Sequence, residues 1–82
     1  MTLLELTLDH PAEIIAINCD ESKDDILKYL FSIGFAIGAR VMVTNRGLIS
    51  RNPCAVLIDD NENMVMLRAS EADLIVVREL HE

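Results

Sequence analysis

Five short aliphatic runs and one amphipathic helical segment within 82 residues limit the folds open to this chain more than any other feature. Residues 12–18 read Ala-Glu-Ile-Ile-Ala-Ile-Asn, rich in β-branched side chains and bounded by Pro11 and by Asp20-Glu21-Ser22. That pattern predicts a strand, apolar on both faces. Residues 40–44, 54–58, 64–67 and 74–77 read as four more strands. Between the first two, Ser22 precedes the acids Asp24 and Asp25, which suit the positive first turn of a helix. Ile26, Leu27, Leu30 and Phe31 then form one stripe at helical spacing. Gly34 stands where a helix needs a left-handed residue to stop, so a helix over 23–33 is expected. Gly38 supplies a tight turn into the second strand. Residues 45–53 read as a loop, 59–62 as a turn and 70–73 as a short capped turn. The last three residues are expected to fray.

The length allows a single domain over residues 1–82. Hydrophobic residues make up 51% of the chain, yet only Tyr29, Phe31 and Phe35 are aromatic, so the core must be aliphatic. A chain this small buries about 60–65% of its unfolded surface, which leaves little volume for a deep catalytic pocket. Five strands, one helix and tight turns predict a mainly β fold, a small five-stranded barrel closed so that no edge invites aggregation.

The formal net charge of −7 argues against general nucleic-acid binding and against docking on anionic lipid. No uncharged apolar stretch approaches the ~20 residues of a membrane span, and the start of the chain lacks a basic n-region. A soluble cytoplasmic protein without direct membrane insertion is expected. Cys19 and Cys54 form no CxxC pair and read as free, buried thiols. His10, Cys19, Cys54 and His81 are scattered without the paired spacing of metal ligands. Asp59-Asp60-Asn61-Glu62-Asn63 begins like a calcium loop, but Met64 stands where Gly is required and Ser70 where Glu is required. The serines lack a G-x-S-x-G context, and no G-x-x-x-x-G-K loop is present. No catalytic residue, metal site or cofactor is therefore expected, and the chain does not read as an enzyme.

One charge feature stands above background. Residues 26–58 contain Lys28, Arg40, Arg46 and Arg51 and no acid, a local charge of +4. The rest of the chain carries three basic and fourteen acidic residues, −11, which restores the total of −7. Leu48 and Ile49 lie between Arg46 and Arg51, and an apolar pair flanked by arginine suits an interface anchor. Arg46, Leu48, Ile49 and Arg51 are the candidate partner-binding residues. The competing reading folds Leu48-Ile49 back on the barrel or into a strand, with the arginines merely solvated.

The order of elements also resembles a known family. Residues 26–41, Ile-Leu-Lys-Tyr-Leu-Phe-Ser-Ile-Gly-Phe-Ala-Ile-Gly-Ala-Arg-Val, look like the FeoA pattern RLxxLGxxxGxxV. Residues 66–76, Met-Leu-Arg-Ala-Ser-Glu-Ala-Asp-Leu-Ile-Val, resemble that family's closing ALRxxEAxxIxV. The chain departs from the pattern at Ala12, Ile26, Ile37-Gly38 and Arg51-Asn52-Pro53. The resemblance implies an SH3-like barrel with an inserted helix, related to the C-terminal domains of DtxR-type repressors. It implies a small cytosolic accessory protein of ferrous iron transport, a monomer or weak homodimer. Its partner would be the FeoB GTPase-permease, met on the cytoplasmic side. In a sharper version, Arg46 acts as an arginine finger for that GTPase. The alternative is a stand-alone metal-responsive or peptide-binding regulatory domain, for which an SH3-type aromatic floor is missing. Leu27, Leu30, Val41, Leu67, Leu74 and Val76 are expected to plug the barrel, and Arg68 to pair with Glu71 or with carbonyls.

Overall fold

The computed structural model describes residues 1–18, 24–49, 52–58 and 63–80, with only the backbone of Leu48 and Ile49. The aliphatic runs form β1 (Pro11–Ile17), β2 (Arg40–Ile49), β3 (Asn52–Ile58), β4 (Asn63–Leu67) and β5 (Ile75–Glu79). Helix α1 (Asp24–Ser32) joins β1 to β2, and the one-turn α2 (Ala69–Ala72) joins β4 to β5. The strands make a single antiparallel sheet in the order β4-β3-β2-β1-β5. The mainly β expectation stands, but the closed barrel does not: β4 and β5 end the sheet on opposite sides, with no ladder between them.

The edge problem that suggested closure is met differently. The chain begins with a 3₁₀ turn, Leu3–Glu5, for which the sequence reading had no signal. Ahead of it, Thr2 bridges Val76, and the Val77 N–H donates to the Met1 carbonyl at 2.8 Å. The first residues thus cover the outer edge of β5. Leu3 and Leu6 anchor this segment, both fully buried with Ile14, Leu30, Phe35, Val56, Ile58 and Ile75. No polar or charged residue is buried among those described.

Of the expected core residues, Leu30, Val41 and Leu67 are buried, while Leu27, Leu74 and Val76 are half-buried. On β5 the inward positions are Ile75 and Val77. Leu74 precedes the strand, and its carbonyl accepts from the Asn18 N–H at 2.7 Å. The inward set is therefore one position away from the expected one, because a strand's faces alternate.

Gly34 and Gly38 both have positive φ. Gly34 has φ 107°, with its N–H on the Phe31 carbonyl at 3.2 Å and the Phe35 N–H on the Leu30 carbonyl at 2.9 Å. This pair is a Schellman cap, and the buried Leu30 and Phe35 provide the apolar contact that accompanies it. Gly38 has φ 93°, and its N–H donates to the Ile14 carbonyl at 2.8 Å, which directs the chain into β2.

The stretch read as a loop is instead largely paired. Arg46 lies opposite Cys54, and Ile49 opposite Asn52, so β2 and β3 form a long hairpin. At Gly47 a Cβ would fall 1.5 Å from the Asn52 carbonyl oxygen, so only glycine lets the two strands approach there. Cys19, Arg51, the turn 59–62 and His81 lie outside the described residues.

Candidate functional site

The candidate contact residues Arg46, Leu48 and Ile49 fall at the far end of β2. Along this strand Val41 and Val43 face the core, and by simple alternation Arg46 would face solvent. A register shift between Val43 and Asn45 adds one residue and reverses the faces. Arg46 therefore pairs with Cys54, an inward position that is 1% exposed.

Its guanidinium meets the N-terminal segment. Nη2 donates to the Leu6 carbonyl, and to the Leu3 carbonyl at 3.4 Å. The Leu6 carbonyl lies just past the 3₁₀ turn, where helical partners run out, while the Leu3 carbonyl also accepts from the Leu6 N–H at 3.3 Å. Nε is buried without a hydrogen-bond partner among the described residues. Arg46, one of the candidate partner-binding residues, is a half-buried strut between the hairpin and the first turn of the chain, and not the merely solvated charge of the competing reading.

The other cations of the acid-free stretch also have neighbours within the chain. Lys28 Nζ is 3.8 Å from an Asp24 carboxylate oxygen, one helical turn away. Arg40 lies opposite Glu13 across β2 and β1, and Glu13 lies opposite Arg78 across β1 and β5. The Arg78 guanidinium is 2.5 Å from the Glu13 carboxylate. Folding brings the cations of residues 26–58 up to acids and carbonyls supplied from outside that segment, and only Arg51 is left undescribed.

Arg68 holds the start of α2 through its backbone: its N–H donates to the Glu71 carboxylate at 3.0 Å, while the residue itself is exposed. Asn52 accepts the Ala69 N–H on Oδ1 at 2.5 Å and ties β3 to α2, a link with no sequence signal beyond its place before Pro53. Cys54 is buried, opposite Arg46 on β2 and Leu67 on β4. No group of three or more His, Cys, Asp or Glu suited to a metal ion occurs among the described residues. Nor, among them, is any helix long and apolar enough to cross a membrane.

The sequence reading missed the exposed methionines. Met64 and Met66 on β4 are 57% and 54% exposed. Met42, Leu57 and Met64 lie in one row across three strands, with Met42 and Leu57 half-buried.

Comparison with known proteins gives a consistent result. The family pattern described as FeoA domain matches residues 1–79. The fold is similar to iron(II) transport protein A from Clostridium thermocellum, with a TM-score of 0.83 and 25% identity over 98% of this chain and 46% of that one. The chain thus spans less than half of that relative. A zinc complex of Stenotrophomonas maltophilia FeoA, described as a prokaryotic SH3 domain protein, is 30% identical. That match has a TM-score of 0.75 and covers 95% of this chain and 89% of the relative. A manganese-dependent transcriptional repressor shares the fold at a TM-score of 0.84, with 24% identity over 98% of this chain and 36% of its own. No curated protein matches in sequence.

Proposed function

Since the chain belongs to the FeoA family, which is linked to ferrous iron transport, we propose that it is a cytoplasmic accessory protein that binds a FeoB-type GTPase-permease and modulates it by protein contact. The observation that carries this reading is the family match along 1–79. It is supported by a surface that offers exposed apolar side chains.

The contact is assigned to the end of the β2–β3 hairpin, with Leu48, Ile49 and Arg51 as its residues. Arg46 belongs to this surface as the strut that fixes the hairpin against the 3₁₀ turn. An arginine-finger role is not retained, because such a finger must be free to reach the transferring phosphoryl group.

The test is an NMR titration of the labelled chain with the cytoplasmic GTPase domain of a FeoB-type permease. The account expects saturable shifts confined to residues 45–53 and their neighbours, and loss of binding in a Leu48→Asp/Arg51→Glu variant that keeps its fold. Binding by that variant at wild-type strength removes the hairpin end from the account. Absence of any binding removes the partner.

A further inference from the structure

The two ends of the sheet are not equivalent, and the β4 end, beyond which no described strand pairs, has a feature of its own. Thr44 Oγ1 donates to the Ala55 carbonyl, which therefore points from β3 toward β2. On β2, the Val43 carbonyl accepts from the Asp9 N–H and points away from β3. Backbone groups alternate along an antiparallel strand, so those of Val56 face β4 and meet Val65, its register partner. The N–H and C=O groups of Met64 and Met66 then point outward from the sheet. Among the described residues, backbone hydrogen bonds outside the sheet ladders involve neither Met64 nor Met66.

An edge strand of this kind is a template for pairing. Natural edges are blunted by charged residues, proline or a bulge. The sequence of β4, Asn63-Met64-Val65-Met66-Leu67, contains no charge and no proline, and its register with β3 is unbroken. Met64 and Met66 are both more than half exposed, and Leu57 and Met42 continue the apolar row behind Met64.

We propose that β4 pairs with β4 of a second copy of this chain, antiparallel about a two-fold axis through Val65. The choice of occupant follows from self-complementarity. Met-Val-Met reads the same in both directions, so Met64 of one copy lies opposite Met66 of the other. Both present outward backbone groups, so each such pair exchanges both of its N–H···O bonds. The methionines fall on one face of the extended sheet and pack against each other, a use that suits their adaptable side chains. Charge agrees with this arrangement. In the sequence, Asp59, Asp60 and Glu62 precede β4 and Arg68 follows it, so antiparallel pairing directs the basic end of each strand toward the acidic approach of the other. A two-fold contact of this type is isologous and closes at the dimer.

The experiment uses the full chain alone, so its outcome is independent of any transporter. Sedimentation velocity from micromolar to millimolar concentration is expected to move from one chain to two. Amide exchange of Met64 and Met66 is expected to slow in step with the dimer fraction, while that of Val65, bonded to β3, does not change with concentration. Met64→Lys/Met66→Lys sets lysines opposite each other and is expected to stay monomeric with an unchanged circular dichroism spectrum. The proposal is overturned if the wild-type chain is monomeric at millimolar concentration, including the case where it captures a foreign extended peptide. Dimerisation with unaltered exchange at Met64 and Met66, or dimerisation of the lysine variant at wild-type strength, also overturns it.

Discussion

At one end of the sheet, β5 lies beneath the first residues of its own chain, while at the other end β4 faces outward. Both edges present the same chemistry, a row of backbone donors and acceptors. The covered edge is held by three devices: the buried Leu3 and Leu6, the backbone link from Val77 to Met1, and the Arg46 guanidinium on the carbonyls of Leu3 and Leu6. The bare edge is held by its ladder with β3. The difference separates two roles for the same kind of element. Residues around β5 tie the N-terminal turn to the sheet, and residues on β4 expose apolar side chains to solvent.

Substitutions can break this contrast. The largest effect is expected for Leu6→Ala, which removes a fully buried side chain from the covered end. A loss of about 2–5 kcal/mol in urea unfolding is expected, because a cavity adds to the lost transfer energy. Arg46→Met keeps the length of the side chain but takes the guanidinium donor from the Leu6 carbonyl, while the Leu3 carbonyl keeps the Leu6 N–H. It is expected to lose about 1–3 kcal/mol in the same measurement. A solvated arginine would lose nearly nothing, so this variant separates the strut from the tip charge. Gly34→Ala forces a side chain into positive φ at the α1 cap and is expected to lose about 1–2 kcal/mol. Glu13→Gln disrupts an exposed cross-strand pair and is expected to change stability by less than about 1 kcal/mol, an effect that shrinks in high salt. On β4, Met66→Lys is expected to shift unfolding by no more than about 0.5 kcal/mol, since it alters only solvent-facing surface.

Much of the fold was legible because its signals are local. The β-branched runs gave five strands in the right order, and the stripe over residues 26–31 with Gly34 gave α1 and its cap. Family motifs in the two blocks led to the fold's relatives. What sequence could not supply depended on register. A single inserted residue between Val43 and Asn45 turned Arg46 from solvent to the interior. The 45–53 segment carries loop-like Asn, Gly, Ser and Pro, yet most of it pairs, because Gly47 lets the strands close on each other. The covering of β5 by the N-terminus is a contact between residues more than seventy positions apart, and nothing in residues 1–6 announces it. The charge asymmetry was a true feature of the sequence and a poor guide to the surface, since folding brought Glu13 up to Arg40.

The central claim is that this chain works by touching a FeoB-type permease. Calorimetric titration of the purified chain into the permease's cytoplasmic GTPase domain tests it most directly. The account predicts a saturable isotherm with one chain per domain, retained in Met64→Lys/Met66→Lys and lost in Leu48→Asp/Arg51→Glu. A flat titration with both proteins folded would contradict it.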